Sequence, residues 1–137
     1  MKLYHLDWEA AGNHSRDLLA TIISPTVINA QGRVLEQGNE TFDAMKQAFE
    51  LGFYRHVADI DGDDPNYAYR QSQHIDHSWT EEPADGVHVI ETERVRSTSV
   101  GDILESDGVY IVVARMGFQT LSWFAPATPA PSNPPTP

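Results

Sequence analysis

From Arg94 to Leu121 the apolar residues come in short runs separated by turn residues. Ser97-Thr98-Ser99-Val100-Gly101-Asp102 is a polar turn leading into Ile103 and Leu104, and Ser106-Asp107-Gly108 is a second turn. Asp-Gly between two apolar runs predicts a tight hairpin, because both central positions of a type I′ turn need φ > 0. Val109 to Ala114 is β-branched or aromatic in five of six positions, which predicts a well-buried strand. Gly117 breaks that run and Phe118 to Phe124 begins another. The pattern predicts a three-stranded antiparallel meander over 102–124 that supplies most of the core.

Elsewhere the pattern is more varied. Lys2 to Trp8 alternates, with Tyr4, Leu6 and Trp8 on one face and His5 and Asp7 off it, and predicts a first strand. Ser15 to Ile23 suits a short helix behind a Ser15 cap, ended by Ser24-Pro25, although Thr21, Ile22 and Ile23 also favour a strand. Val27 to Leu35 around Ala30-Gln31-Gly32 forms a small hairpin on this reading. Thr41 to Leu51 is the clearest helix: Phe42, Met45 and Phe49 recur at helical spacing, Thr41 can cap, Asp43 suits the first turn, and Gly52 stands just past the end. Phe53 to Ile60 reads as a strand. Asp64-Pro65 opens a second helix reaching about His74, with the aspartate as cap and the proline at the first helical position. His77 to Gly86 is an acidic loop around Trp79 and Pro83, and Val87 to Ile90 is a short strand.

The elements together predict an α+β fold in one domain over 1–124. An antiparallel sheet centred on the C-terminal meander would carry the 41–51 and 64–74 helices on one face. Ala125 to Pro137 holds six of the nine prolines and no charge, so it reads as a flexible, semi-extended tail.

Composition narrows the function classes. The chain has 137 residues and no cysteine, which excludes disulfides, a thiolate nucleophile and a cysteine-based zinc site. No apolar h-region follows Lys2, and no apolar run approaches the ~20 residues of a membrane helix. A soluble protein in the cytoplasm of a bacterial host is expected. Asp plus Glu is 20 against 9 for Lys plus Arg, a net charge of -11. Phosphate contacts need a basic face, so direct nucleic-acid binding is disfavoured, and anionic membranes repel such a surface. Cations or proteins with basic surfaces are its natural partners; the plain alternative is charge for solubility.

RSTSVGD at 96–102, the Asp-Gly hairpin, the following Tyr-x-Val strand and a Gly-Phe resemble a recurrent segment of uncharacterised small proteins of phages, plasmids and other mobile elements. Gln73-His74-Ile75-Asp76, Trp79, Glu81 and Glu82 are similar to the stretch that precedes it there. The resemblance runs from about Phe53 to Leu121, and it implies origin and fold without any catalytic residue.

The remaining constellations bear on chemistry. Asp59, Asp61 and Asp63 alternate like the first ligands of an EF-hand, but Asp64 stands where glycine is wanted and Arg70 where the bidentate glutamate belongs. Asp63 and Asp64 suit a helix start; Asp59 and Asp61 are left without such a reason. His74 and His77 have helical ligand spacing, yet no second pair completes a zinc set. Ser97 and Ser99 lie in a turn with no evident base. No GxSxG, phosphate loop or dinucleotide fingerprint is present. No metal, cofactor or catalytic role is therefore expected. Trp79 among acids reads either as an interface anchor or as a ring folded onto the core.

The expected function is that of an acidic interaction protein that inhibits a host DNA-binding protein by mimicking DNA. Its partner-binding residues would be Asp59, Asp61, Asp63, Asp64, Asp76, Trp79, Glu81, Glu82 and Asp85. Carboxylates at i and i+2 on a strand are ~6.8 Å apart, comparable to backbone phosphates. Gyrase stands first among targets because it holds long duplex in a basic channel; RNA polymerase and restriction or CRISPR effectors follow. The alternatives are an acidic adaptor without mimicry and a small metal-binding enzyme.

Overall fold

The first strand of the chain shares the middle of the sheet with the first strand of the C-terminal meander. A computed structural model describes residues 1–23, 27–28, 34–35, 39–74, 78–93, 95–114 and 117–121. In chain order its elements are β1 (Lys2–Leu6), α1 (Trp8–His14), α2 (Arg16–Ile23), β2 (Val27–Ile28), β3 (Val34–Leu35) and α3 (Asn39–Glu50). There follow β4 (Tyr54–Ile60), α4 (Pro65–Gln71), β5 (Val87–Val89), β6 (Ile103–Ser106), β7 (Val109–Val113) and β8 (Phe118–Leu121). Six strands make one antiparallel sheet in the order β5-β4-β1-β6-β7-β8, and β2 and β3 pair separately. The meander is present, but it fills one half of the sheet and ends at an edge. The loop of the 27–35 hairpin and residues 122–137, with the Pro-rich tail, lie outside the described residues.

Local chemistry accounts for most boundaries. Asp107 (φ 52°) and Gly108 (φ 81°) make the two-residue β6–β7 turn in the left-handed conformation that Asp-Gly favours. The Ser15 hydroxyl accepts the Leu18 N–H and caps α2. Asp64 caps α4 by accepting the Asn66 N–H, with Pro65 at the first helical position. At the end of α3, the Gly52 N–H reaches the Phe49 carbonyl and the Phe53 N–H the Ala48 carbonyl, the paired bonds of a Schellman closure.

Other boundaries differ from expectation. The first strand stops at Leu6 because the Asp7 carboxylate accepts the Ala10 N–H and starts α1 with Trp8. Helix α3 begins two residues before Thr41, so Thr41 is buried in the helix rather than capping it. Helix α4 ends at Gln71, before His74. Of the 109–114 run only Val112 and Val113 are buried, while Val109 is 46% exposed.

The expectation that both long helices share one face is overturned. Met45 and Ala48 of α3 pack with Leu6, Ile103, Val112 and Leu121 from the sheet, together with Ala11, Leu18 and Ile22 of α1 and α2. Ala68 of α4 packs on the other side with Leu3, Val57, Ala58, Ile60, Leu104 and Trp79. Side chains alternate along a strand, so Leu3 and Leu6, or Ile103 and Leu104, serve opposite layers. A central strand covered on both faces can bury residues of both parities, which is why Leu3, His5 and Leu6 are all buried, while Lys2 at its start is exposed.

Candidate functional site

The strand termini bring the predicted carboxylates toward one end of the sheet. Asp59 lies near the end of β4, Asp61 follows it, and Asp63 and Asp64 lead into α4. The Asp61 N–H donates to the Gly86 carbonyl, and the Tyr67 hydroxyl donates to the Asp85 carbonyl, which ties Asp85 to the same end. Register adds an acid not anticipated for the site, Glu105: Lys2 pairs with Asp59 on one side and with Glu105 on the other. A shallow groove here is lined by Met1, Lys2, Asp59, Asp61, Glu105 and Asp107, among others. The phenol of Tyr4 is pushed upward by its burial and by the neighbouring Tyr110, Glu105 and Asp59, and that of Tyr110 by burial and Glu105. Glu81 and Glu82 are exposed on the preceding loop; Asp76 lies outside the described residues.

Asp59 and Asp61, which no helix start explains, each meet a histidine. His56 Nε2 is 2.7 Å from Asp59 Oδ1, and His88 Nε2 is 3.2 Å from Asp61 Oδ1. Trp79, placed on the partner surface but read equally as a ring folded onto the core, is 2% exposed and belongs to the core. Its indole N–H donates to the Arg96 carbonyl and its backbone N–H to His74 Nδ1. The ring belongs to the core under α4 because its one polar atom finds a buried acceptor there.

A second cluster was not legible as a site. Asp102 has no exposed surface and accepts four hydrogen bonds. Two come from the Arg96 guanidinium at 2.6 and 2.8 Å, one from the Leu6 N–H at 2.9 Å and one from the Ser99 N–H at 2.8 Å. Arg96 also donates to the carbonyls of Leu6 and Ser97 and lies 4.1 Å over the Trp8 ring. The buried His5 ring sits 2.8 Å from the Thr98 hydroxyl, and burial pushes its pKa down to about 4 against the pull of Asp102. A cleft of about 210 Å³ opens beside this cluster, lined by His5, Asp7, Trp8, Arg55, Val57 and Arg96, among others. The only sequence signal for the cluster was the polar turn Ser97 to Asp102, whose partners lie about 90 positions away.

The cluster's geometry is that of a structural clasp. In a hydrolytic triad the carboxylate and the nucleophile engage opposite ring nitrogens. Here Thr98 and Asp102 both approach Nε2 of His5, Asp102 at 3.8 Å, and four donors already satisfy Asp102. His74 is a clasp too: Nε2 contacts the Val95 carbonyl while Nδ1 accepts from Trp79, so the ring is committed to the fold. Among the described residues no three His, Asp or Glu side chains converge in a way that would hold a metal ion. Compared with protein families, curated proteins and solved structures, the chain matches none.

Proposed function

We propose that this chain is an acidic interaction protein that docks the carboxylate-rich end of its sheet into the basic groove of a host DNA-binding protein and excludes DNA from it. The observation that carries this reading is the gathering of Asp59, Asp61, Asp63, Asp64, Asp85, Glu105 and Asp107 around the termini of β4 and β6 and the start of α4. Carboxylates spaced along strands offer a charge density like that of a phosphate backbone. The resemblance to small proteins of mobile elements supports a host protein as the partner, with a duplex-holding topoisomerase such as gyrase first. No catalytic step is part of this reading. The acidic-adaptor alternative draws on Asp17, Asp43 and Glu50, which are also exposed on the helices.

The test is a supercoiling or DNA-binding assay on host proteins recovered with the wild-type chain. Wild type should displace duplex DNA, and less so as salt rises through the range where the Debye length falls below ~8 Å. Asp59→Asn/Asp61→Asn should keep the fold and displace DNA about tenfold less well, chiefly through slower association. If wild type displaces no DNA, or the variant displaces it equally well, the adaptor reading replaces this one.

A further inference from the structure

The end of the sheet opposite the acidic one, where β1 finishes and β4 starts, holds the cleft of about 210 Å³ beside His5. At ~30 Å³ per water it has room for about seven waters, and it is smaller than the ~300 Å³ at which pockets for drug-sized ligands begin. Its size suits a small molecule rather than a peptide or a nucleotide.

A β-bulge decides which side chains line it. Leu3 pairs with Ala58 but Tyr4 pairs with His56, so Val57 is an extra residue in β4. A regular ladder would set His56 opposite His5; the extra residue sets Arg55 there instead. Directly paired residues in antiparallel strands share a face, so Arg55 and His5 line the cleft together. The Asp7 N–H continues the ladder by donating to the Phe53 carbonyl at 2.7 Å, and the Asp7 backbone is still extended. Asp7 therefore shares the face of His5, two positions back, and is a diagonal neighbour of Arg55 at ~7–8 Å.

Opposite charges thus face one cleft without meeting. Among the described residues Arg55 pairs with Glu91 at 3.3 Å and donates to the Glu93 carbonyl at 3.4 Å, both through Nη2. Both contacts are longer than the ~2.7–2.9 Å of a strong charge-assisted bond, and neither uses Nε or Nη1. Asp7 Oδ1 accepts the Ala10 N–H at 3.1 Å, which leaves Oδ2 for another donor. Glu9 lines the cleft too. The Arg96 charge is answered by Asp102, and burial holds the His5 pKa at about 4, so that ring is neutral near pH 7. Val57, Val95 and the indole of Trp8, which is 40% exposed and carries Arg96 at 4.1 Å from its ring centroid, supply the apolar walls.

We infer that this cleft binds a free α-amino acid with an apolar side chain, its carboxylate on the Arg55 guanidinium, its ammonium on Asp7 and its side chain against Val57, Val95 and Trp8. An α-amino acid carries both charges on one carbon and can bridge two such neighbours on one face. A lone anion would meet Asp7 and Glu9, and a lone cation would meet Arg55. The site uses none of the carboxylates of the docking end, so either reading can fail without the other.

The experiment is isothermal titration calorimetry of the full chain with L-valine, L-leucine, L-phenylalanine and L-tryptophan at neutral pH and low salt. At least one should bind with a Kd below about 1 mM. The N-acetyl form and the amide of that amino acid, each lacking one charge, should bind about tenfold more weakly or worse, and so should Asp7→Asn and Arg55→Gln. Asparagine caps a helix about as well as aspartate, so Asp7→Asn keeps the start of α1. Should Arg55→Gln fold poorly, the amide tests the same contact on the wild-type chain. Absence of binding below about 1 mM by all of these amino acids overturns the site. Equal binding of the amino acid and either derivative, or an Asp7→Asn chain that binds as tightly as wild type, overturns it as well.

Discussion

Asp102 takes over the role of a neighbouring strand. The β1–β6 pairing covers Lys2 to Tyr4, and beyond it the Leu6 N–H donates to Asp102 while the Leu6 carbonyl accepts from Arg96. Removing one partner of a buried ion pair leaves an uncompensated charge, so Asp102→Ala should destabilise by roughly 3 kcal/mol, measured by chemical denaturation. A loss below about 1 kcal/mol would show that the pair is dispensable. His5 gives the pH dependence. Its pKa is lowered to about 4 in the folded chain against about 6.5 when unfolded, so between those values the unfolded state binds more protons. This contribution is fully present above about pH 6.5 and is lost as pH falls toward 4, by up to about 3 kcal/mol. His5→Gln should flatten that part of the stability–pH curve; an unchanged slope would mean that His5 does not titrate on unfolding.

At the scale of elements, two glycines separate strain from crowding. A Cβ at Gly108 would meet nothing within 4 Å, so Gly108→Ala costs the left-handed backbone alone, about 1 kcal/mol, and Gly108→Val somewhat more. Gly101 (φ 94°) ends the polar turn, and a Cβ there would stand 2.9 Å from Ile22 Cγ2 of α2. Gly101→Ala should therefore lower the melting temperature clearly more than Gly108→Ala, and the reverse order would contradict the packing of α2 on this turn. The Asp-Gly hairpin and the α2 and α4 caps were legible because their chemistry lies within a few residues. Helix α1 was not, since WEAAGNH is too short to show a periodic stripe and includes glycine and asparagine.

For the whole molecule, the order β5-β4-β1-β6-β7-β8 places β1 and β6 at the centre and β5 and β8 at the edges. Central strands covered on both faces open with close to the global unfolding free energy, whereas edges open locally. Amide exchange should be slowest in β1 and β6 and faster in β5 and β8. Equal protection of β8 and β1 would contradict this strand order. The acidic end is equally a property of the whole. Asp59 and Glu105 are 46 positions apart, and it is β1 between them that brings both beside Lys2.

What the amino-acid order determined by itself is local: the Asp107-Gly108 turn, the Ser15 and Asp64 caps, the end of α3 at Gly52 and the excess of carboxylates. Each follows from interactions spanning a few residues or from simple composition. Tertiary structure decided the rest. Trp79 among acids could be a surface anchor or a core ring, and its burial, with the indole N–H donating to the Arg96 carbonyl, decided for the core. Alternation in β1 implied one buried face, and helices on both sides of the sheet made it two. His5, Arg96 and Asp102 meet only because the turn before β6 docks beside β1, and His56 reaches Asp59 because one extra residue in β4 changes which side chains share a face.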